Sequence, residues 1–267
     1  MGGASPAYLF MKGFLTRKEL RKKAKDNAKK LSKKKVRHIV DQTQWRQYLN
    51  YALNVLNGTR GANDKLARWH ISFGTYLYFV RDKAQKAVPD DDFDVCFFYG
   101  DVDDATVKRN LESFQFKLVD VLRDDVHNKA LHMTFEPTED LKSRVGDKVL
   151  DVYFWYKHGK QYYHCYQKVH GKYEMKGIDC DKIDGMWKLY WFEDMFPVYV
   201  PYGQGAVLDE WYPCWMVRDK NFGVSKCKYT LYLDSFKDFK DEKYIGKQIA
   251  ESKREYAQFI ADMRIRK

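Results

Sequence analysis

Apolar residues recur at helical spacing in three stretches of the chain, which predicts three long helices. The first stretch covers residues 15–37 and carries a thin apolar stripe among many lysines. The second covers residues 43–56, where the apolar positions form a broad stripe and Asn57-Gly58 predicts the end of the helix. The third begins near Glu242 and continues towards the C-terminus.

Between these helices, short runs rich in aromatic and β-branched residues predict strands. The predicted strands are 68–73, 90–98, 116–122, 130–136, 149–156, and a hairpin of 161–169 with 172–177 around His170-Gly171. A short helix is predicted from Gly74-Thr75 through Val80, and Asp103 is a suitable cap for a helix that ends at Ser113. Further extended segments reach about residue 218. The order of elements predicts an α+β fold.

The positive charge is concentrated near the N-terminus. The whole chain has a formal net charge of +11, and the segment from Lys12 to Arg37 holds thirteen Lys and Arg against only Glu19 and Asp26. The rest of the chain is therefore close to neutral. This asymmetry predicts a basic amphipathic N-terminal extension, residues 1–40, and one domain, residues 41–267.

The overall composition predicts a folded protein without a membrane span. The 267 residues are 45% hydrophobic, which allows one well-packed domain. No apolar run approaches the roughly 20 residues that a membrane-spanning helix needs. The five cysteines are odd in number and lack Cys-x-x-Cys spacing. Free thiols in a reducing compartment are therefore expected, which favours a cytoplasmic location.

An acidic cluster precedes one of the predicted strands. Asp92 and Asp94 are two residues apart, so in a strand their carboxylates point to the same side, and Asp90 can join them from the preceding turn. Two like charges about 4 Å apart repel by roughly 4 kcal/mol at an effective dielectric constant of about 20. Mg²⁺ or Mn²⁺ would relieve this repulsion, because hard cations prefer carboxylate oxygens. The alternative is an acidic surface loop that leads into a buried strand.

Two neighbouring features favour a phosphate-handling metal site. Phe73-Gly74-Thr75 places a small-residue turn between a strand and a helix, where backbone N–H groups can approach a phosphate. Further along, Asp151 stands alone within the apolar run of residues 149–154. A carboxylate there is costly to bury unless it is paired or metal-bound. The alternative for Asp151 is that it faces solvent from an alternating strand.

Several motifs follow one another in a recognisable order. They are His70-Ile71-Ser72-Phe73-Gly74-Thr75, Arg81, Val88-Pro89-Asp90-Asp91-Asp92-Phe93-Asp94 and Lys148-Val149-Leu150-Asp151-Val152-Tyr153-Phe154. This order resembles the nucleotidyltransferase superfamily, and more closely the LicD family, which includes fukutin and fukutin-related protein. The resemblance covers about residues 45–215, with a faint similarity at Asp209-Glu210-Trp211-Tyr212. Two features depart from the family pattern. The family's tryptophan before the aspartates is missing, and the loop after Arg81 is one residue longer.

The resemblance implies a nucleotidyltransferase-like mixed β-sheet core flanked by helices, and a LicD-type phosphotransferase. Such an enzyme moves a phosphorylated alcohol, for example phosphocholine or ribitol phosphate, from a CDP-linked donor to a hydroxyl of a cell-surface glycan. By this resemblance Asp92, Asp94 and Asp151 are the catalytic residues, and with Asp90 they bind Mg²⁺ or Mn²⁺. Gly74, Thr75 and Arg81 are expected to bind substrate phosphate.

For several other residues, a structural role is an alternative to a functional one. Arg81 can equally form a salt bridge with Asp82 or Asp90. Several aromatic residues can line a donor pocket, although core packing is the simpler role for most of them: Trp155, Tyr156, Trp211, Tyr212 and Trp215. The spacing of four histidines fits no metal motif, so ordinary polar positions are expected for them: His132, His158, His164 and His170.

Two other functions are compatible with the sequence. A nucleotidyltransferase that acts on RNA or a small molecule would use the same aspartates, although the neutral body argues against nucleic acid as a partner. A non-catalytic interaction protein with the same fold is the other alternative. Residues 15–37 are suited to an anionic membrane surface near a lipid-linked glycan. They are equally suited to packing on the protein's own domain or on a second subunit.

Overall fold

The structure is a computed structural model that describes residues 33–61, 64–81, 92–184, 187–192, 196–201, 204–212 and 227–265. The predicted basic helix at residues 15–37 and the extension at residues 1–40 lie largely outside the described residues. Within these ranges the protein forms six α-helices. They are α1 (Lys33–Gly58), α2 (Phe73–Arg81), α3 (Asp104–Ser113), α4 (Glu139–Val145), α5 (Gln204–Trp211) and α6 (Glu242–Ile265).

The described residues also form ten strands and two short 3-10 helices, at Cys180–Lys182 and at Phe236–Lys240. The strands are β1 (Trp69–Ile71), β2 (Asp92–Phe98), β3 (Phe116–Arg123), β4 (Ala130–Pro137), β5 (Val149–His158), β6 (Gln161–Val169), β7 (Lys172–Asp179), β8 (Trp187–Phe192), β9 (Phe196–Pro201) and β10 (Tyr229–Leu233). Eight of them belong to one sheet, and β8 pairs only with β9.

Strand β5 is the centre of the large sheet. It pairs in parallel with β2 and antiparallel with β4, and its last three residues pair antiparallel with β6. The sheet continues from β6 through β7 to β10, from β2 to β1, and from β4 to β3. Because one parallel pair is combined with antiparallel pairs, the sheet is mixed. The predicted α+β class with a mixed sheet is therefore confirmed.

The core forms where α1 packs on the sheet. The apolar stripe predicted for residues 43–56 is buried, and it includes Trp45, Tyr48 and Leu53. The rings of Trp45 and Tyr48 contact the ring of Phe93 on β2 edge-on, with centroids 6.2 and 6.4 Å apart. This packing fixes the start of β2, where the predicted acidic cluster lies.

The helix boundaries differ from the prediction at one end of α1. Residues 33–58 form one continuous helix, so the predicted break between residues 37 and 43 is absent. The reason is that this stretch contains neither Gly nor Pro, and nothing in it stops a helix. The predicted C-terminal end at Asn57-Gly58 is confirmed.

Two further observations concern cysteines and membranes. Of the five cysteines, the four that the structure describes are free thiols: Cys96, Cys165, Cys180 and Cys227. None of the described helices combines the length and the apolar character that crossing a membrane requires.

Candidate functional site

Strands β2 and β5 bring three aspartates together. In the parallel register Asp94 lies directly beside Asp151, and Asp92 lies beside Val149. Because alternate residues of a strand share a face, Asp92 points to the same side as Asp94. One carboxylate oxygen from each of Asp92, Asp94 and Asp151 lies within 4.8 Å of the other two.

The surroundings of these carboxylates make their proximity costly. Asp94 is buried, with 5% of its surface exposed, while Asp92 and Asp151 are half-buried. Two unit charges about 5 Å apart repel by roughly 3 kcal/mol at an effective dielectric constant of about 20. A bound cation stabilises such an arrangement, because it offsets the repulsion within the whole cluster.

The geometry of the cluster fits a divalent metal ion. Oxygens that share one hard cation stand about 2.0–2.6 Å from it, so any two of them are no more than about 5 Å apart. The observed limit of 4.8 Å satisfies this condition. All three donors are carboxylate oxygens, the ligand type that Mg²⁺ and Mn²⁺ prefer. Asp92, Asp94 and Asp151 could therefore hold Mg²⁺ or Mn²⁺.

Strand β4 supplies two side chains that orient Asp151. The Thr134 hydroxyl donates a hydrogen bond to Asp151 Oδ1 at 2.6 Å, and His132 Nε2 lies 3.0 Å from the same oxygen. Both hydrogen bonds go to Oδ1, so Oδ2 can accept a cation without losing either of them. Hydrogen bonds of this kind hold a ligand carboxylate in a fixed orientation.

The start of α2 is attached to the backbone of Asp94. The Ser72 N–H donates to the Asp94 carbonyl at 2.9 Å, and the Asp94 N–H donates to the Thr75 hydroxyl at 2.8 Å. Between these two bonds Phe73 has a φ of 43°, in the left-handed region that bulky residues rarely adopt. The two hydrogen bonds hold the strained turn and set the first turn of α2 beside the carboxylates.

The structure describes the three predicted phosphate-binding residues to different extents. Gly74 lies half-buried in the first turn of α2, and Thr75 is buried with its hydroxyl oxygen accepting from Asp94. Arg81 is the last residue of α2. The side chain of Arg81 and the whole of Asp90 lie outside the described residues.

Tyr153 and Tyr166 are among the tyrosines whose pKa is raised by the negative charge of the cluster. Burial raises the pKa of Tyr153 well above its ordinary value, and Asp94 and Asp151 raise it further. Burial also raises the pKa of the half-buried Tyr166, again with a contribution from Asp94. Both phenols therefore stay protonated at neutral pH. They can donate hydrogen bonds next to the carboxylates, and they add no negative charge.

The histidines lie in different environments, and one of them contacts the candidate site. His132 was expected at an ordinary polar position, but it contacts Asp151 and stacks on Tyr153 with ring centroids 4.3 Å apart. His132 and Thr134 are two residues apart on β4 and therefore share a face of the strand. That spacing was the only signal for His132 in the sequence, because the pairing of β4 with β5 cannot be predicted from spacing. By contrast, His164 is buried among aromatic rings, and His170 is exposed in the β6–β7 turn.

The aromatic residues considered for a donor pocket are mostly core residues. Four of them are buried: Trp155, Tyr156, Trp211 and Tyr212. Trp155 also donates a hydrogen bond from Nε1 to His70 Nε2 at 2.7 Å, and burial lowers the pKa of His70 to about 3. Core packing is thus the role that the structure gives these four, and Trp215 lies outside the described residues.

In comparisons with known proteins, no family model matches this sequence, and no curated protein shows significant similarity to it. The resemblance to the LicD family therefore rests on the short motifs alone and stays a prediction.

Proposed function

We propose that the protein is a metal-dependent phosphotransferase of LicD type with a nucleotidyltransferase-like core. The observation that carries the proposal is the convergence of Asp92, Asp94 and Asp151 within 4.8 Å. Their position beside the first turn of α2 supports a site where phosphate oxygens approach both carboxylate-bound metal and backbone N–H groups. The mixed sheet, with the Asp-x-Asp pair on β2 and the third aspartate on β5, supports the core assignment.

In this proposal the donor is a CDP-linked alcohol and the acceptor is a glycan hydroxyl. The acceptor oxygen forms a bond to the phosphorus that carries the alcohol. The bond from that phosphorus to the bridging oxygen breaks, CMP leaves with the bridging oxygen, and the hydroxyl proton passes to solvent. Catalysis of such a transfer consists mainly of positioning and charge neutralisation.

The residues of the cluster have distinct roles in this scheme. Mg²⁺ or Mn²⁺, when bound, neutralises the donor diphosphate and lowers the pKa of the acceptor hydroxyl. Asp92 and Asp94 hold the metal on the side of the donor diphosphate, because both extend from β2 next to α2. Asp151 completes the site on the acceptor side, and Thr134 and His132 keep its carboxylate in one orientation.

The test measures the release of CMP from CDP-choline and CDP-ribitol with and without Mg²⁺ or Mn²⁺. We expect release only with metal. We expect Asp92→Asn, Asp94→Asn and Asp151→Asn each to lower the rate at least about a hundredfold, because each removes a metal ligand. The exposed Asp181, which lies outside the cluster, provides the control variant Asp181→Asn. Wild-type turnover in Asp94→Asn would refute the proposal.

A second arm separates this reaction from nucleotidyl transfer. The protein is incubated with CTP labelled in the α-phosphate or with a CDP-alcohol labelled in the alcohol, and the label on the acceptor is identified. Transfer of the alcohol supports the phosphotransferase, whereas transfer of the nucleotide supports the nucleotidyltransferase alternative. Absence of metal binding by calorimetry would instead favour a non-catalytic interaction protein.

A further inference from the structure

A cleft of about 610 Å³ lies at the end of β5, away from the aspartates. Its lining comes from the end of β5, the β3–β4 loop and the 3-10 helix at Phe236–Lys240. Lys157 on its rim is six residues beyond Asp151 on the same strand, which corresponds to roughly 20 Å of extended chain. The cleft is therefore spatially separate from the candidate metal site. Its volume falls in the range of about 300–1,000 Å³ that small-molecule sites occupy.

Aromatic rings form the floor of this cleft. Tyr99 and Tyr156 stack with centroids 4.6 Å apart and an interplanar angle of 21°. Phe236 and Phe239 stack with centroids 5.4 Å apart, and His158 lies against Phe239 at 5.1 Å. Among these rings Tyr99 and His158 are half-buried, so parts of their surfaces face the cleft. They offer a ligand an aromatic contact surface within the cleft.

Three exposed lysines stand at the rim: Lys129, Lys157 and Lys240. Lys129 Nζ lies over the Tyr99 ring, 4.6 Å from its centroid. Lys157 lies 3.7 Å from an Asp184 carboxylate oxygen, an exposed and weak ion pair. Within the part of the chain that the structure describes, neither Lys129 nor Lys240 has a carboxylate partner within ion-pair distance.

The acidic residues of the lining do not cancel this charge. Asp124 is buried, and its carboxylate accepts backbone N–H donors from Val126 at 2.9 Å, from Lys129 at 3.0 Å and from His127. Its negative charge is thus stabilised inside the loop. Glu242 is exposed in the first turn of α6, where the helix dipole favours a carboxylate. The rim consequently presents net positive charge to an incoming ligand.

From this combination we propose that the cleft binds a nucleoside phosphate, with the base against the ring floor and the phosphates at Lys129 and Lys240. A ring floor alone would suit any apolar molecule, and lysines alone would suit any anion. A ligand that carries both a planar ring and phosphates satisfies both features. Binding requires no divalent ion, because lysines and not carboxylates face the phosphates.

Isothermal titration calorimetry with ADP in the presence of EDTA tests the proposal. EDTA removes any ion that would bridge ADP to the aspartate cluster. Adenosine and inorganic pyrophosphate are titrated separately, since each carries one half of the proposed recognition. We expect ADP to bind at least about tenfold more tightly than either half, because each half lacks the contacts that the other makes.

Matched variants locate the binding. Lys129→Glu and Lys240→Glu should each weaken ADP about tenfold or more, whereas Lys237→Glu makes the same charge change on the same 3-10 helix outside the cleft lining. Asp92→Asn should leave ADP affinity in EDTA unchanged, which separates this site from the proposed catalytic one. Circular dichroism melting of each variant verifies that it is folded.

Three results would overturn the proposal. They are a failure of ADP to bind in EDTA, binding of pyrophosphate as tight as that of ADP, and a loss of ADP affinity in Lys237→Glu as large as in Lys240→Glu. The first excludes a metal-independent nucleotide site, and the second excludes a role for the rings. The third shows that the general charge of the surface, and not the cleft, accounts for the loss of ADP affinity. None of them affects the proposed phosphotransferase, whose test depends on metal and on the aspartates.

Discussion

At the scale of single residues, Asp151 shows how a carboxylate is kept within an apolar strand. Its neighbours Leu150 and Val152 are fully buried on β5, and the side chain of Asp151 retains only 14% exposure. Burying a charge without partners is expensive. Thr134 and His132 supply two hydrogen-bond donors from the adjacent strand, so the cost is partly offset before any cation binds.

The first prediction concerns these two donors. Thr134→Val and His132→Ala should each weaken Mg²⁺ or Mn²⁺ binding by about 10- to 100-fold, because groups that orient a metal ligand contribute this much to affinity. Calorimetric metal titration measures the effect. Thr134→Ser keeps the hydroxyl and should retain most of the wild-type affinity. If Thr134→Val binds metal as tightly as the wild type, the hydroxyl does not prepare Asp151 for a cation.

The second prediction concerns the buried His164. Its ring lies 4.5 Å from Phe73 and 5.0 Å from Trp155, and no described residue forms a hydrogen bond to either ring nitrogen. Burial lowers the pKa of His164 well below its ordinary value, and the nearby Lys176 lowers it further. Below about pH 6.5 the unfolded chain therefore binds a proton that the folded chain does not, and stability falls as the pH decreases.

Replacing His164 should remove this part of the acid sensitivity. Between pH 7 and pH 5 one such histidine accounts for about 2 kcal/mol of lost stability, so His164→Phe should lose about that much less than the wild type. Urea unfolding at the two pH values measures the difference. The exposed His170 gives the control His170→Asn, which is expected to keep the wild-type pH dependence. An unchanged pH dependence in His164→Phe would contradict the prediction.

At the scale of elements, the junction of β6, β7 and β10 depends on a glycine. Gly177 pairs with Tyr163 on one side and with Tyr229 on the other. A Cβ at residue 177 would stand 2.5 Å from Tyr163 Cε1 and 2.9 Å from Tyr229 Cβ, which is closer than unstrained atoms approach. The two buried tyrosines occupy the space that a side chain at this position would need.

The third prediction compares two glycines. Gly177→Ala should lower the free energy of unfolding by about 1–3 kcal/mol, because the buried tyrosines cannot move away without repacking. Gly246→Ala, in α6 and with no atom within 4 Å of its added Cβ, should raise it by up to about 1 kcal/mol through helix propensity. Urea titration of both variants tests the contrast. Equal effects of the two substitutions would show that the contacts around Gly177 relax freely.

Elements with local signals could be predicted from the sequence. Asp103 caps α3 as expected, with its side chain accepting from the Thr106 N–H at 2.6 Å. The β6–β7 hairpin turns at His170 and Gly171, which have φ angles of 49° and 81° as a tight turn requires. By contrast, α4 and β10 were not predicted, and α5 is a helix where further extended segments were expected. They are short, and packing against distant parts of the chain stabilises them more than their own periodicity does.

The candidate site likewise combines features that local rules predict with features that depend on contacts between distant parts of the chain. The common direction of Asp92 and Asp94 follows from the alternation of a strand, which is a local rule. The position of Asp151 beside Asp94 depends on parallel pairing between strands 57 residues apart, and only the motif order suggested it. His132 was missed for the same reason, since its contact with Asp151 arises from the non-local pairing of β4 with β5.

At the scale of the whole molecule, charge is separated along the chain. Nine of the thirteen basic residues between Lys12 and Arg37 precede α1, while the rest of the chain is close to neutral. The candidate metal site is acidic, and the cleft at the end of β5 has a basic rim. Long-range attraction to an anionic surface therefore comes mainly from the N-terminal segment, and the folded domain contributes little to it.

The last prediction is that this segment binds anionic membranes. Each Lys or Arg near an anionic surface contributes about 1 kcal/mol, so part of the set suffices for reversible attachment. The full-length protein should co-sediment with phosphatidylserine-containing vesicles at low salt and dissociate as salt screens the attraction. Vesicles of phosphatidylcholine alone should not retain it. A variant without residues 1–32 keeps all of α1 but loses nine basic residues, and it should not bind.

A second variant separates charge from chain length in the same experiment. Replacing Lys22, Lys23, Lys29 and Lys30 by Gln keeps the segment but removes four charges, and binding should weaken markedly through the loss of about 1 kcal/mol per residue. If the full-length protein ignores anionic vesicles at low salt, the membrane prediction is wrong. The basic segment then serves contacts within the protein or with a second subunit, and sedimentation of the same variants would reveal a change in oligomeric state.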